Sequence, residues 1–96
     1  MKSSNIEDLK EMEETFKILG DRTRIEILFS LIQGEKCVHE VAEEIDQELS
    51  NVSHHLRRLR DKELVEYKKK GRHKYYEIKD NYVSKILHEG MDHARE

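Results

Sequence analysis

The sequence predicts a winged helix-turn-helix fold, mostly α-helical with a small β-hairpin, in the order α-α-α-α-β-β-α. Apolar residues recur at steps of three and four over most of the chain, which is typical of amphipathic helices. The period changes to two between about residues 64 and 79, which is typical of two paired strands. No repeat, low-complexity tract or flexible linker divides the 96 residues. We therefore expect one domain over residues 1 to 96.

The first two predicted helices are amphipathic. The apolar stripe of the first helix, over about residues 5 to 19, is Leu9, Met12, Phe16 and Leu19. Gly20 ends this helix, and Asp21 can cap the amino-terminal end of the next one. The second helix stops at Gly34, because glycine readily adopts the positive φ of a C-terminal cap. Its predicted buried stripe is Ile25, Leu28, Leu31 and Ile32.

The next two helices predict a helix-turn-helix over about residues 38 to 62. A short helix, a tight link and a longer basic helix are typical of this motif. The short helix covers residues 38 to 45, with Val41, Ala42 and Ile45 facing inward. The longer helix covers about residues 48 to 62, and its predicted inward residues are Leu49, Val52, Leu56 and Leu59.

A predicted wing and a last helix complete the chain. In the wing, about residues 64 to 79, Val65 and Tyr67 alternate with polar residues before the turn, and Tyr76 and Ile78 do so after it. Gly71 supplies the turn between the two strands. The last helix covers about residues 80 to 94, and its apolar residues are Val83, Ile86, Leu87 and Met91.

The composition favours a dimer and excludes several classes of protein. Only 35% of the chain is hydrophobic and 41% is charged, so a single chain would bury a thin core. We expect a homodimer formed through the helices at about residues 5 to 19 and 80 to 94. One cysteine allows no internal disulfide, and the first residues lack the apolar stretch of a signal peptide. We expect a cytoplasmic protein with no membrane contact and no small-molecule substrate.

The charges of the chain are segregated. Residues 49 to 79 carry ten Lys and Arg against four acids, a net +6, while the remainder carries eight basic and seventeen acidic residues. Such a basic face on an acidic body favours contact with the phosphate backbone of double-stranded DNA. The expected DNA contacts lie on the basic helix and on the hairpin. They are Ser50, Asn51, Ser53, His54, Arg57 and Arg58, followed by Lys68, Lys69, Lys70, Arg72 and Lys74.

These DNA contacts fall into two kinds. Hydroxyl, amide and imidazole groups near the start of the basic helix suit base edges, which they could reach in the major groove. Arg57, Arg58 and the wing would mainly hold phosphates, with His73 among the cationic residues at the wing tip. The adjacent His54 and His55 are not expected to share a metal ion, because neighbouring residues on a helix point about 100° apart.

Two long segments resemble the ArsR/SmtB family of metal-responsive bacterial repressors. They are LGDRTRIEILFSLIQGEKCVHEVAEEI and SNVSHHLRRLRDKELVEYKKKGRHKYYEI. The resemblance implies a homodimeric winged-helix repressor that binds a pseudo-palindromic operator and usually leaves it when an inducer binds. Family members often have Ser or a similar cap at the start of the recognition helix, where this chain has Asp46, Gln47 and Glu48.

The resemblance also implies metal ligands on the last helix. The zinc and cobalt sensors of the family carry Asp-x-His, ten residues, then His-x-x-His or His-x-x-Glu. Asp80, His93 and Glu96 match at this spacing, and Tyr82 stands where the second ligand would be. Thirteen residues of helix span about 20 Å, so Asp80 and His93 could share an ion only between two chains. The alternative is that Asp80 caps this helix and that His93 and Glu96 are a solvated end.

The expected ion at this site is divalent. Zinc or cobalt is expected first, with nickel and manganese as alternatives, and water or another residue such as His88 could supply the fourth ligand. Cys37 and His39 are an alternative metal set. They have the spacing of the Cys-x-Cys motif by which some relatives sense arsenic, cadmium or lead, with one thiol replaced by imidazole. A cysteine beside an apolar helix is otherwise a small core residue.

The leading functional prediction is therefore a dimeric repressor released from its operator by a divalent ion at the dimer interface. One alternative keeps the DNA binding and responds to a different signal or to none. Another is a winged-helix module whose basic wing contacts an acidic protein. The sequence predicts no enzyme, because it contains no catalytic triad with supporting context and no glycine-rich phosphate loop.

Overall fold

The computed structural model describes residues 4–96 and contains five helices and three strands in that range. The order is α1 (Ser4–Leu19), α2 (Arg22–Ile32), β1 (Lys36–Cys37), α3 (Val38–Ile45), α4 (Leu49–Asp61), β2 (Val65–Lys70), β3 (His73–Ile78) and α5 (Asn81–Ala94). The predicted winged helix-turn-helix is confirmed, with α3 and α4 as the helix pair and β2–β3 as the wing. No helix within residues 4–96 combines the length and the apolar character needed to span a bilayer.

The predicted order lacked one element, the two-residue strand β1. It pairs antiparallel with β3, with Lys36 opposite Tyr76 and Cys37 opposite Tyr75, so the sheet order is β1-β3-β2. Two residues are too few to show a period-two pattern, and only their pairing with a distant strand defines them as β-structure. β1 therefore connects the start of α3 directly to the wing.

The wing is a regular hairpin closed by a two-residue loop. Its register runs from Val65 opposite Ile78 to Lys70 opposite His73. Gly71 has a φ of +64°, and the loop has positive φ at this first position alone, which is the pattern of a type II′ turn. The predicted role of Gly71 in the turn is confirmed.

The core lies where α2, α3, α4, α5 and the inner face of the wing meet. Its fully buried side chains are Ile27, Leu28, Leu56, Leu59, Val41, Val52, Val65 and Val83. One predicted core residue is corrected: Leu49 is 40% exposed. Leu49 is the first residue of α4, so its side chain lies at the rim of the helix-turn-helix beside Val38 rather than beneath the helix.

Local interactions fix the ends of the helices around the turn of the motif. The Asp21 carboxylate accepts a hydrogen bond from Arg24 N at 3.0 Å, so its predicted capping of α2 is confirmed. Between α3 and α4, Asp46 takes the left-handed conformation with φ +56° and ψ +53°. Gln47 N donates to Ala42 O at 3.0 Å, and Glu48 is the N-cap of α4 without a side-chain capping bond. A three-residue turn thus sets the angle at which α4 leaves α3.

A polar network holds β1 and α3 against α2. The Lys36 ammonium donates to Ser30 O at 2.6 Å and pairs with the Glu44 carboxylate at 3.0 Å. Ser30 is buried and its hydroxyl also bonds to Glu44. These hydrogen bonds lower the pKa of Glu44, the one from Ser30 most. These contacts therefore hold both β1 and α3 in place against α2.

Candidate nucleic-acid interface and metal-binding residues

The predicted recognition helix presents its polar side to solvent. Val52, Leu56 and Leu59 are buried beneath it. Five of the predicted DNA contacts on this helix are exposed and Ser53 is partly exposed; the exposed five are Ser50, Asn51, His54, Arg57 and Arg58. The periodicity of α4 thus turns these side chains outward. Their contact with DNA stays a prediction.

Gln47 is a polar residue at the start of this surface that the sequence reasoning treated only as a possible cap. Its Oε1 accepts a hydrogen bond from Asn51 Nδ2 at 3.2 Å, and the two side chains line one shallow cavity of about 510 Å³ with Ser50 and His54. Glutamine and asparagine are the side chains that pair with adenine in the major groove. The signal available in the sequence was an amide side chain in the turn, four residues before Asn51.

The wing carries its cations in two environments. Lys68 pairs with Glu77 at 3.7 Å, and Lys70 pairs with Glu35 and lies 5.2 Å above the Tyr75 ring. The hydrogen bond to Glu35 raises the pKa of Lys70, and the Glu35 carboxylate offsets part of the Lys70 charge. By contrast, Lys69 on the wing forms no salt bridge within residues 4–96, and neither do Arg57 and Arg58 on α4. These three side chains offer their full charge to a phosphate.

Lys69 and Lys74 face each other directly across the wing. Like charges in this position destabilise a hairpin, because the side chains of directly opposite residues lie on the same face. Lys74 Nζ also lies 4.7 Å from the centre of the Tyr67 ring, and the Arg60 guanidinium lies 4.6 Å from the same ring. Tyr67 thus connects Arg60 of α4 to Lys74 of the wing, and Arg60 is a basic residue that the predicted contact set omitted.

His55 is the histidine of α4 that turns toward the protein. Its Nδ1 is buried and has no hydrogen-bond partner within residues 4–96. Burial lowers the pKa of His55 most strongly, while the nearby Asp21 carboxylate opposes this. The neutral imidazole is therefore favoured at His55, which is partly buried whereas its neighbour His54 is exposed.

The predicted metal residues of the last helix occupy the two ends of α5. Asp80 is the N-cap and accepts a hydrogen bond from Tyr82 N at 3.0 Å, as the capping alternative predicts. His93 Nδ1 lies 3.4 Å from the Glu96 carboxylate, and both side chains are highly exposed. Tyr82 is 61% exposed. His88 Nδ1 lies 2.9 Å from Ser84 O, and its ring meets the Phe29 ring edge to face with centroids 5.9 Å apart. A site shared between two chains stays a prediction.

The structure brings a different set of ligand-type side chains together within one chain. The ligand atoms of Cys37, His39 and His73 all lie within 4.8 Å of one another. Cys37 is buried, the two histidines are exposed, and their rings meet edge to face with centroids 6.0 Å apart. His73 was predicted only as a wing-tip residue. Its place beside Cys37 follows from β1, because Cys37 pairs with Tyr75 and His73 lies two residues along the same face of β3.

The terminal helices present a second kind of surface, which is apolar. Four large apolar side chains of α1 are substantially exposed in the single chain: Ile6, Leu9, Met12 and Phe16. An apolar groove of about 310 Å³ lies between α1, α2 and α5, and Phe16, Phe29 and Met91 are among its lining residues. Exposed apolar surface of this kind marks an interaction site.

Comparisons with known proteins relate this architecture to one family. The sequence pattern described as "Bacterial regulatory protein, arsR family" matches residues 21–67. The transcriptional repressor SmtB homolog of Synechocystis sp. is 36% identical over 92 residues, which cover 96% of this chain and 70% of the relative. The cadmium resistance transcriptional regulatory protein CadC homolog of Staphylococcus aureus is 36% identical over 87 residues, which cover 90% and 72%. The chain belongs to the ArsR family.

A solved ArsR-family neighbour has the same fold. It is the homodimeric winged helix-turn-helix DNA-binding domain of a possible ArsR-family transcriptional regulator from Mycobacterium bovis. Its TM-score is 0.87 at 26% identity, covering 99% of this chain and 88% of that one. The predicted family and the predicted class, a DNA-binding transcriptional repressor of winged-helix fold, are confirmed. The two relatives compared by sequence are described as a transcriptional repressor and a transcriptional regulatory protein.

Proposed function

We propose that this ArsR-family protein is a homodimeric repressor that binds a pseudo-palindromic operator and is released from it by a divalent metal ion. The observation that carries the DNA-binding part is a set of exposed cations on α4 and the wing, which Tyr67 connects through its contacts with Arg60 and Lys74. Arg57 and Arg58 on α4 and Lys69 on the wing are exposed cations without carboxylate partners among residues 4–96. Phosphate contacts of this kind position a recognition helix in the major groove, where Ser50, Asn51 and the additional Gln47 would reach base edges.

The terminal helices support the homodimer. The exposed apolar stripe of α1 and the apolar groove beside α5 would be costly to leave in water, and both belong to the helices predicted to form the interface. In a two-fold dimer the same patch serves both chains, so one apolar surface suffices. Two recognition helices related by this axis would enter successive major grooves about 34 Å apart, so the operator would be pseudo-palindromic.

The metal response is proposed from the relatives and from the ligand chemistry of the chain. A cadmium resistance regulator and an SmtB homolog are among its relatives. Zinc or cobalt is the expected ion, with nickel and manganese as alternatives, because histidine, carboxylate and thiolate ligands are all available. Binding would release DNA by favouring a dimer whose recognition helices no longer match successive grooves.

The test of this function is fluorescence anisotropy with DNA from the protein's own promoter. The metal-free protein should bind tightly, and its affinity should fall steeply with salt. Zinc, cobalt, nickel and manganese are then added in turn, with a chelator to restore binding. Lys85→Ala, which removes an exposed cation from α5, is the control for loss of charge outside the basic face. Equal affinity for promoter and unrelated DNA would contradict operator recognition, and indifference to every ion would contradict the metal response.

His93→Ala tests the metal residues predicted on α5. If Asp80, His93 and Glu96 form the inducer site, this variant should keep its DNA affinity and lose the release by metal, because the imidazole is the strongest ligand of the set. Anisotropy with and without zinc measures both quantities. A full response in His93→Ala would move the inducer site elsewhere in the protein.

A further inference from the structure

We propose that Cys37, His39 and His73 form a divalent-metal site within each chain, which joins the wing to the helix-turn-helix. The inference deepens the proposed function and rests on it for the regulatory consequence, but the site itself is independent of DNA. It differs from the predicted α5 set in needing no second chain. Cys37 and His39 are only two residues apart and alone would hold an ion weakly, and His73 adds a third ligand from a distant strand.

The fold places the three side chains at a junction. Cys37 is the last residue of β1 and the N-cap of α3, His39 is in the first turn of α3, and His73 is the first residue of β3. Tetrahedral zinc with bonds of about 2.0–2.3 Å separates its ligand atoms by about 3.3–3.6 Å. The observed separations are within 4.8 Å, so the ligands need to approach by about 1 Å. Both imidazoles are exposed and can supply this by side-chain rotation.

The donor set selects the class of ion. One thiolate and two imidazoles suit zinc and cobalt, and a tetrahedral site built from them leaves a fourth position. The adjoining cavity of about 250 Å³ opens to solvent, so water can occupy that position. A set without carboxylate oxygens suits magnesium or manganese poorly, and a single thiolate suits the most thiophilic ions poorly.

The surroundings of the cluster contain charges of both signs. Lys70 lies opposite His73 in the hairpin, and Arg72 and Lys74 flank it, which opposes a bound cation. Lys70 is paired with Glu35, which reduces its effect. On the other side, the Glu40 carboxylate accepts a hydrogen bond from Cys37 N at 3.0 Å, and this bond holds the pKa of Glu40 below its usual range. Glu40 thus provides a fixed negative charge that also orients the Cys37 backbone.

The position of the cluster gives it a route to the DNA-binding surface. Ser53 of α4 and Arg72 and Lys74 of the wing line the same cavity as the three ligands. A bound ion would tie His73 of the wing to Cys37 and His39, and would so hold the turn of the wing at one position relative to the recognition helix. Since the wing and α4 must reach the DNA together, His73 in this position would withdraw wing cations from their phosphates. The salt dependence of DNA binding should then decrease when the site is filled.

The direct test is a cobalt titration of the full chain, reduced and without DNA. Wild type should develop thiolate-to-cobalt charge-transfer absorption that saturates at one ion per chain, together with the intense visible bands of tetrahedral cobalt. Cobalt held by Asp80, His93 and Glu96 would add no thiolate band. Cys37→Ser should lose the charge-transfer band. His39→Ala and His73→Ala should each weaken cobalt affinity by at least about tenfold, because even partners outside the direct ligand set contribute 10- to 100-fold. Both histidines are exposed, so these two variants should fold even if Cys37→Ser does not.

His55→Gln is the matched control, since it removes a histidine that lies beside Asp21 and outside the cluster, and it should leave the thiolate band unchanged. Absence of the charge-transfer band in wild type overturns the site, as does unchanged affinity in His73→Ala or loss of the band in His55→Gln. DNA binding by the metal-free protein is measured separately. Its absence would count against the proposed function alone, whereas tight operator binding by a protein without the thiolate band would count against the metal site alone.

Discussion

The DNA-binding end of the molecule and the end formed by the terminal helices differ in how fully a single chain buries its apolar side chains. At the basic end, α3, α4 and the wing form their contacts within one chain, and the core beneath α4 is closed by Val52, Leu56 and Leu59. At the other end, α1 leaves Met12 and Phe16 each 51% exposed beside an apolar groove. The difference indicates that DNA contact is a property of the folded chain, whereas the spacing of two recognition helices depends on a second copy. Each end can be disrupted separately.

The largest effect is expected from Phe16→Glu. A carboxylate on the exposed apolar stripe would oppose association of the terminal helices without entering the core. Loss of the second DNA-binding unit should lower operator affinity by about 10²- to 10⁴-fold, because the avidity of two linked sites disappears. Sedimentation analysis measures the oligomeric state and anisotropy measures the affinity. Glu13→Gln, on the same helix outside the apolar stripe, is the control. A Phe16→Glu dimer of normal stability would place the interface elsewhere.

The next effect is expected from Arg57→Ala at the basic end. Loss of a charge-assisted hydrogen bond to phosphate costs about 1.5 kcal/mol, so the two copies in a dimer together account for about 100-fold in affinity. The loss should be the same on operator and unrelated DNA, and the slope of affinity against salt should decrease by about 2. Ser53→Ala is the comparison, since it should change the preference among sequences. An unchanged salt slope in Arg57→Ala would show that this face of α4 does not meet the backbone.

A smaller effect, with opposite signs for stability and binding, is expected from Lys69→Ala. Removing one member of the Lys69–Lys74 pair relieves a like-charge contact across the wing and should raise the free energy of unfolding by about 0.2–0.5 kcal/mol. DNA affinity should fall at the same time. Urea denaturation and anisotropy measure the two quantities. Lys68→Ala is the matched control, because Lys68 pairs with Glu77 and its loss should not stabilise the protein. A lower free energy of unfolding in Lys69→Ala would contradict the repulsion assigned to the Lys69–Lys74 pair.

The smallest effect concerns His55 and pH. Its pKa is lowered below the ordinary 6.5 by burial, so the unfolded chain binds a proton at a higher pH than the folded protein. The free energy of unfolding should therefore be greatest above pH 6.5 and fall as the pH drops toward 5. His55→Gln should show less of this fall than His88→Gln. The measurement stays above pH 5 because the lowered pKa values of Asp21, Glu40 and Glu44 act below their ordinary 3.8–4.5. Equal pH profiles in the two variants would contradict the assignment.

The sequence predicted what depends on local periodicity. The bounds of α3 are those predicted, and the outward side of α4 follows from the burial of three apolar residues at helical spacing. The sequence did not predict the features that depend on contacts between distant segments. β1 is two residues long and exists because Cys37 pairs with Tyr75, and the approach of His73 to Cys37 depends on the same pairing. Leu49 was misplaced because periodicity cannot show that the first residue of a helix lies beyond the edge of its neighbours.

The tight loop at Gly71 also limits how much DNA one chain covers. Beyond the Tyr67–Tyr76 pair, where the wing leaves the core, the register continues for three more pairs and then turns. At about 3.4 Å per residue the free part of the wing is about 10 Å long, which corresponds to at most about three base pairs along the helix axis. The footprint of each half-site should therefore extend at most about three base pairs past the recognition helix. We expect changes in the operator sequence beyond that distance to leave binding unchanged.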